Sequence, residues 1–297
     1  MYAPIVVFAF NRLDSLHSTI ESLLTNTEAK DSHLFVFVDG PRKEKESEQE
    51  KVEQVQEYVK SICGFKTTTY SFHEVNKGLG PSIIEGVSKV VSEYGKVIVL
   101  EDDLIVSSNF LSFMNQGLDK YWNESQVFSI CGYSNKVNVP TGYQADTYFC
   151  PRSSSWGWAT WKDRWESVDW KLKPWESYKK YSRKFNQWGG SDCWDMLEGW
   201  HNGKNKSWAI RFCFAQFLQN KFSLFPVISK VNNNGFDGQG TNCKKWSRFK
   251  FVFDTSDNKT FVFPATIKIN SYLCRSALRY HSLWIRAWSR FMYIFYK

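Results

Sequence analysis

Three consecutive carboxylates, Glu101, Asp102 and Asp103, follow the short apolar run 97–100. Such a run predicts a buried strand, so the acids stand at its carboxyl end with no basic residue next to them in the sequence. Adjacent carboxylates repel one another, and burying them even partly costs solvation free energy. A hard cation such as Mn²⁺ or Mg²⁺ offsets both costs, because it binds carboxylate oxygens together with substrate phosphates and water. The triplet therefore predicts a metal–phosphate site whose counter-charge arrives with the ligand.

A helix start is the simpler explanation of the triplet, because acidic side chains favour the positive amino end of a helix. The residues that follow, Leu104, Ile105 and Val106, are a poor opening for a surface helix. Ser107 or Asn109 is the better N-cap. The spacing therefore favours the metal site over the helix start.

The elements that must position the triplet alternate along the first hundred residues. Apolar spacing predicts strands at 5–10, 34–38, 67–72 and 96–100, and helices at 14–24, 43–59 and 79–94. This order is typical of parallel βαβ units in an open wound sheet, where ligands bind beyond the carboxyl ends of the strands. Three more polar clusters follow strand ends, at Asn11-Arg12, Asp39-Gly40 and Asn76-Lys77-Gly78. We expect all four clusters to meet at one edge.

Taken together, the four motifs at 9–12, 38–40, 76–80 and 100–104 resemble those of nucleotide-sugar glycosyltransferases with the GT-A fold. The resemblance is to the Golgi N-acetylglucosaminyltransferase I type and to bacterial glycosyltransferases that build surface polysaccharides. It runs roughly over residues 4–243. It implies an α/β fold, a wound mixed sheet flanked by helices with an α-rich second half. It also implies a nucleotide-sugar half at 1–108, an acceptor half of the same domain at 109–270, and an amphipathic tail at 271–297.

The resemblance implies roles for the triplet residue by residue. Asp103 would bind the metal directly, Asp102 would contact the ribose, and Glu101 would hydrogen-bond a hydroxyl of the donor sugar. The cofactor is then Mn²⁺ or Mg²⁺, and the donor is a UDP-sugar.

The other strand-end residues would bind the nucleotide. The resemblance places Asp39 against the uracil ring and Arg12 against the diphosphate or the nucleoside edge. Lys77 and Gly78 would supply a cation and bare backbone near phosphate. Simpler explanations stay open: a solvated surface position for Arg12 or Lys77, and a turn role for Asp39 in Asp-Gly-Pro.

Sugar transfer also needs a base that takes the proton of the acceptor hydroxyl. Inverting relatives carry it in a Trp-Asp element, and Trp194-Asp195 is similar to it, although Met196 replaces the second Asp of the relatives. The base is therefore Asp195 or, alternatively, Asp192 or Glu198. On a helix, Asp192 and Asp195 lie at i and i+3 and could face one cleft. The alternative is an N-capping Asp192 with a solvated Asp195.

Aromatic and glycine-rich stretches complete the expected site. Trp156-Gly157-Trp158 resembles a loop that lines the donor and acceptor sugars, since aromatic faces suit the C–H faces of pyranose rings. Core packing is the alternative for both tryptophans, and more so for Trp161 and Trp165. Residues 235–242 predict a mobile loop that closes over the donor, in which Asp237 could assist at the metal.

Composition narrows the class of protein. The net charge of +8 suits anionic lipid or phosphorylated substrates, but the cations form no recognisable nucleic-acid reader. Seven cysteines without a C-x-x-C pair, no secretory leader and no apolar run near ~20 residues predict a cytoplasmic protein without a membrane span.

The C-terminal tail predicts a membrane contact. On one continuous helix, five cations fall within a stripe of about 60° and the aromatic residues project opposite, as in an interfacial helix. The cations are Arg275, Arg279, Arg286, Arg290 and Lys297. A helix that packs its aromatic face on the domain is the alternative. Membrane binding would suit an acceptor carried on a lipid, such as a polyprenyl diphosphate.

These observations imply a metal-dependent, inverting hexosyl- or N-acetylhexosaminyltransferase that builds bacterial surface polysaccharide such as O-antigen or capsule. Two other functions stay open. A sugar-nucleotide pyrophosphorylase shares the wound sheet, but the stretch 10–13 lacks the glycines of its phosphate loop. A carbohydrate-binding protein would explain the tryptophans but not the acidic triplet.

Overall fold

The computed structural model describes residues 1–43, 45, 47–235 and 248–295, with side chains up to residue 292. Its centre is an eight-stranded mixed sheet in the order β3-β2-β1-β4-β8-β6-β9-β7. A separate antiparallel ribbon joins β5 to β10. The strands are β1 Ile5–Ala9, β2 His33–Val38, β3 Thr67–Phe72, β4 Lys96–Glu101, β5 Leu104–Val106, β6 Val127–Cys131, β7 Thr147–Cys150, β8 Trp158–Trp161, β9 Phe222–Pro226 and β10 Val231–Asn233.

Helices flank this sheet and dominate the stretch between β8 and β9. They are α1 Leu13–Leu24, α2 Ser47–Ser61, α3 Leu79–Tyr94, α4 Phe110–Lys120, α5 Lys162–Glu166, α6 Ser182–Gly189, α7 Cys193–His201, α8 Ala209–Leu218, α9 Ser271–Leu278 and α10 Leu283–Phe295. The strands and helices predicted in the first hundred residues are confirmed, with shifts of a few residues at some ends.

The parallel half of the sheet sets the edge that the polar clusters share. Strand β1 is buried along its whole length and pairs in parallel with β2 on one side and β4 on the other. In this register Ala9 lies beside Val38 and Phe8 beside Glu101. The segments that follow β1, β2 and β4 therefore emerge together, as the alternation predicted.

Two buried clusters cover the opposite faces of the sheet. One face packs against α1, α2 and α4, through residues such as Leu16, Val55 and Phe113. The other packs against α3 and α8, through residues such as Val87 and Phe212. The helical spacing of these apolar residues decides which side of each helix is buried.

The second half of the chain extends the same sheet. Strand β8 runs antiparallel to both β4 and β6, and so joins the parallel half to the strands that follow residue 108. Strands from both sides of residue 108 thus lie in one sheet.

The tail is helical but broken. A short 3₁₀ turn at Arg279–His281 and an extended Ser282, with ψ of 154°, separate α9 from α10. The prediction of one cationic stripe on a continuous helix is therefore wrong, and Lys297 lies outside the described residues. On α10, Trp284 and Trp288 are 86% and 58% exposed, whereas the Arg286 side chain is only 14% exposed. Within the described part of the chain, every helix is too short or too polar to cross a bilayer.

Candidate active site

The acidic triplet connects two strands. Glu101 ends β4, Leu104 begins β5, and the two aspartates form the link between them. The Thr19 hydroxyl donates to the Asp102 carbonyl at 2.9 Å, and the Asn234 amide donates to the Asp103 carbonyl at 2.9 Å. Helix α1 and the segment after β10 therefore hold the backbone of the triplet from two sides.

Arg12 supplies a positive charge that the local sequence does not reveal. Its Nη2 donates to Asp103 Oδ2 at 2.9 Å and also pairs with Asp102. Its Nη1 is buried and has no hydrogen-bond partner among the described residues. Among the described residues, the Arg12 guanidinium is thus the cation that faces the three acids. Its Nη1 could still donate to a further acceptor.

Burial and mutual repulsion shape the protonation of this cluster. Burial, with the charges of Asp103 and Asp102, raises the pKa of Glu101 to about 8. Burial also raises the pKa of Asp102 to about 6, although Arg12 opposes the shift. Burial works against the charged form of Arg12, but the two aspartates outweigh it and raise the pKa of Arg12. Among the described residues, the site therefore has more acidic side chains than positive charges beside them.

The chemistry of the donors around Asp103 fits a hard cation. The Gly235 amide donates to Asn233 Oδ1 at 2.7 Å, and a Cβ at Gly235 would collide with Asp103 Oδ2. Because Gly235 has no side chain, its backbone fits beside the oxygen atoms Asp103 Oδ2 and Asn233 Oδ1. Over the residues with described positions, no three acids, histidines or cysteines form a complete cage. Mg²⁺ and Mn²⁺ need only one or two carboxylates when substrate phosphates and water supply the other ligands. Asp237 lies outside the described residues, as does most of the predicted loop 235–242.

Asp39 connects the end of β2 to the start of α3. Its carboxylate accepts hydrogen bonds from the backbone amides of Lys77 and Gly78, each at 2.8 Å, and from Gly40 at 3.1 Å. His73 Nδ1 lies 3.5 Å from Asp39 Oδ1. The predicted nucleotide residues Asp39, Lys77 and Gly78 are therefore brought together, with His73 added to them.

Lys77 and Gly78 differ in what they offer a ligand. The Lys77 ammonium group lies 2.7 Å from Glu85 on the exposed side of α3. Gly78 is the N-cap of α3 with φ of 83°, and no atom comes within 4 Å of where its Cβ would be. Because this φ favours glycine, the open space beside the backbone is built into the turn.

The two tryptophans of the predicted sugar loop, Trp156 and Trp158, differ in burial. Trp156 is half-buried, with its ring 4.5 Å from that of Tyr133 and 5.6 Å from that of Phe249. Trp158 is only 2% exposed, and its ring packs against Trp165 and Trp208 in the core. The structure brings Trp156, but not Trp158, to the surface. Trp161 and Trp165 are core residues, as the alternative allowed.

Asp192 and Asp195 do not share a cleft. Asp192 is 4% exposed and accepts from Arg152 at 2.7 and 3.2 Å, with His281 Nδ1 at 3.5 Å and Arg248 at 3.9 Å. Burial opposes ionisation, but Arg152 outweighs it and holds the pKa of Asp192 far below its ordinary range. A carboxylate so enclosed acts as an anchor between segments.

Asp195 lies in the first turn of α7 with its side chain 66% exposed. The Arg286 guanidinium lies 3.3 Å from its Oδ2. Met196 instead faces inward, with its sulfur 3.9 Å from Arg152, and Glu198 is exposed. Of the three acids weighed as a base, only Asp195 and Glu198 are open to an acceptor.

Residues 5–194 match the family described as Glycosyl transferase family 2. This range contains Arg12, Asp39 and the whole acidic triplet, and it covers more than half of the chain. The chain belongs to glycosyl transferase family 2. Its mixed sheet flanked by helices is a GT-A fold. The predicted resemblance to GT-A glycosyltransferases and the predicted fold class are both confirmed. The family match ends at Trp194, one residue before Asp195.

Solved structures similar to this family 2 chain include three proteins. Staphylococcus aureus TarS has 16% identity over 50% of this chain and 25% of that chain, with a TM-score of 0.33. The Pyrobaculum calidifontis mannosyltransferase PcManGT, in complex with GDP-Man and Mn²⁺, has 10% identity over 55% and 46%, with a TM-score of 0.39. A UDP-glucose pyrophosphorylase complexed with UDP-glucose has 11% identity over 78% and 94%, with a TM-score of 0.40. The chain thus spans less than half the length of the first two. No curated protein matches it.

Several residues at this family 2 site carry no site role in the sequence pattern. They are Thr19, His73 and Asn233, together with Arg286, predicted only as a membrane-facing cation, and Gly235, predicted only as part of a loop. His73 directly follows β3, so its position at a strand end is the signal that could have identified it. The remaining residues contact the site through segments that are distant in the sequence, so no local sequence pattern indicates their roles.

Proposed function

We propose that this family 2 glycosyltransferase moves a sugar from a UDP-sugar to a glycan acceptor in a reaction that requires Mn²⁺ or Mg²⁺. The observation that carries the proposal is the charge imbalance at the triplet. In the described part of the chain three acids face one arginine, and the pKa of Glu101 is raised to about 8 and that of Asp102 to about 6. A divalent cation that arrives with a diphosphate would relieve this repulsion.

Asp103 would hold the cation, beside the bare backbone of Gly235. When bound, the metal stabilises the charge that develops on the leaving diphosphate. Arg12 Nη1, buried without a partner in the described chain, would donate to the same phosphates. Asp102 would bind the ribose, and Glu101 would bind a hydroxyl of the donor sugar.

The nucleotide would extend from the triplet towards the end of β2. There Asp39, held in place by the amides of Lys77 and Gly78, would face the uracil ring, and the open backbone at Gly78 would let the phosphates approach. Support comes from their proximity, since Asp39 joins both amides at 2.8 Å. Trp156 would offer its half-buried ring to the sugar.

Asp195 would act as the base. Its exposed carboxylate would take the proton of the acceptor hydroxyl as the oxygen attacks the anomeric carbon opposite the leaving diphosphate, which inverts that centre. The enclosure of Asp192 by Arg152 and His281 favours Asp195 over Asp192 in this role.

A lipid-linked acceptor would bring the enzyme to the inner face of the cell membrane, as in bacterial surface-polysaccharide synthesis. Support comes from α10, where Leu283, Trp284 and Trp288 form an apolar surface that is more than half exposed. Three nearby arginines are exposed and suit anionic lipid, namely Arg275, Arg279 and Arg290. Amphipathic helices with this composition lie in the membrane interface.

The test of this function is a donor-hydrolysis screen. Wild type, Asp103→Ala, Asp195→Ala and the exposed control Glu124→Ala are incubated with Mn²⁺ and with UDP-, GDP- and dTDP-sugars. We expect wild type and the control to release UDP from a UDP-sugar, and each aspartate variant to lose about 100-fold in rate. No release from any donor, or full activity of Asp103→Ala, would contradict the proposal.

A further inference from the structure

The C-terminal segment closes over the amino end of α7. The backbone amide and the hydroxyl of Ser191 both donate to the His281 carbonyl, at 3.3 and 2.7 Å. The His281 ring lies 3.5 Å from Asp192. The turn between α9 and α10 is thus fastened to the residues that lead into the helix carrying Asp195.

Arg286 extends this contact to Asp195 itself. Its Nη1 donates to the Ser191 carbonyl at 2.8 Å and to the Ser191 hydroxyl at 3.1 Å. Its Nη2 donates to Asp195 Oδ2 at 3.3 Å. The planar guanidinium is therefore fixed on one edge by Ser191 and presents its other nitrogen to the carboxylate.

We propose that Arg286 is a positioning residue for Asp195. This inference rests on the proposed function, in which Asp195 is the base. An acid in the first turn of a helix, with its carboxylate 66% exposed, samples several rotamers in water. A hydrogen bond from an anchored guanidinium selects one of them and orients the oxygen that must receive the acceptor proton.

The other nearby cations are already committed elsewhere. Arg152 and Arg248 face Asp192, and the Arg152 side chain is only 13% exposed. Arg286 is the cation on α10 that reaches α7, because Arg290 is exposed one turn later. The sequence alone does not indicate the contact between Arg286 and Asp195, since the two residues are 91 positions apart.

The pair should matter little for folding. An ion pair with one exposed partner contributes little to stability, and here a single 3.3 Å contact joins the two side chains. Loss of the contact with Asp195 should therefore change the turnover number rather than the amount of folded protein. Because Arg286→Ala also removes the two hydrogen bonds to Ser191, the amount of folded protein is measured for each variant. Arg183→Ala, which removes an exposed cation from the neighbouring helix α6, is the control.

The experiment measures UDP release with Mn²⁺ and the best UDP-sugar of the panel for wild type, Arg286→Ala, Arg286→Lys and Arg183→Ala. We expect Arg286→Ala to lower kcat about tenfold with an unchanged KM for the donor. Arg286→Lys should restore part of that loss, because lysine keeps the positive charge but lacks the two-nitrogen edge of the guanidinium. Arg183→Ala should equal wild type. If Arg286→Ala does not fold, Arg286→Lys takes its place.

A double-mutant cycle separates positioning from an independent effect. In an Asp195→Asn background, Arg286→Ala should cause no further loss of kcat. An equal loss in both backgrounds, or a wild-type kcat for Arg286→Ala, would overturn the inference while leaving donor turnover in place. An Asp195→Asn variant with full kcat would overturn both the base assignment and the positioning role. Absence of UDP release by wild type marks failure of the proposed function itself.

Discussion

Arg12 lies against the carboxylates of Asp102 and Asp103, with its Nη2 2.9 Å from Asp103 Oδ2. The pair brings together the segments that follow β1 and β4, which the parallel register places side by side. Arg12 therefore neutralises part of the acidic triplet in the ligand-free protein. Its Nη1 has no hydrogen-bond partner among the described residues, and in the proposed function it would donate to phosphate. Among the described residues, one internal cation pairs with the triplet, and in the proposed function an external cation would complete it.

Removing Arg12 should destabilise the ligand-free protein. Arg12→Ala leaves Asp102 and Asp103 without their counter-charge, and breaking a largely buried pair costs about 3 kcal/mol. Chemical denaturation at pH 7 with EDTA measures the loss, and Arg12→Lys should recover part of it. Arg183→Ala removes an exposed arginine from α6 and should cost less than about 1 kcal/mol. Equal stability of Arg12→Ala and Arg183→Ala would refute the pairing.

Glu101 should make the stability of the metal-free protein depend on pH. Burial raises the pKa of Glu101 to about 8, above the value near 4.3 that an unfolded chain has. The folded state thus holds the proton more tightly, and the stability from this group is lost as the pH rises from about 4.3 to about 8.

Glu101→Gln removes this dependence. At pH 8 with EDTA the variant should be more stable than wild type, by about 2 kcal/mol after allowance for the partial exposure of the side chain. At pH 4 the two should be equal. Thermal unfolding across this range checks both statements, with the exposed Glu93→Gln as control. A variant less stable than wild type at pH 8 would show that Glu101 is favourably ionised there.

Gly235→Ala should impair metal–nucleotide binding. The added methyl group would collide with Asp103 Oδ2 and displace the proposed ligand. We expect the affinity for UDP with Mn²⁺ to fall about tenfold or more, as for disturbed supports of metal ligands. Gly203→Ala is the control for backbone strain alone, since its φ of 71° disfavours alanine but its Cβ would meet no atom within 4 Å. Unchanged affinity in Gly235→Ala would separate Gly235 from the metal site.

The sequence predicted the parallel half of the fold because its strands are short apolar runs and its helices keep a 3.6-residue spacing. It predicted that four polar clusters would share an edge for the same reason. It did not predict that Arg12 would pair with the triplet, because that contact depends on the register of β1 against β4. Nor did it reveal the enclosure of Asp192, whose partners Arg152 and His281 come from distant segments.

The tryptophan-rich region shows a second limit. Its sequence has neither a clear alternation nor a helical period, so it gave no reason to place Trp158 on a strand between β4 and β6. That placement buries the ring beside Trp165 and Trp208. The prediction for the C-terminal tail was wrong for another reason. It placed all five cations on one continuous helix, whereas a 3₁₀ turn at Arg279–His281 interrupts the helix.

The exposed aromatic face of α10 should drive membrane binding. Trp284→Ser with Trp288→Ser removes two large exposed rings and should abolish flotation with vesicles that contain anionic lipid. The matched control, Trp122→Ser, removes a ring that is 46% exposed at the end of α4. Flotation of the double variant at the wild-type level would contradict the membrane role.

Calorimetry of UDP binding to wild type and Asp103→Asn, with Mn²⁺ and with EDTA, tests the proposed metal site most directly. The amide keeps the size of the side chain but loses the charge that would hold the cation. We expect wild type to bind UDP at least tenfold more tightly with Mn²⁺ than with EDTA, and Asp103→Asn to lose this difference. Equally tight UDP binding by wild type with Mn²⁺ and with EDTA would contradict the proposed metal site.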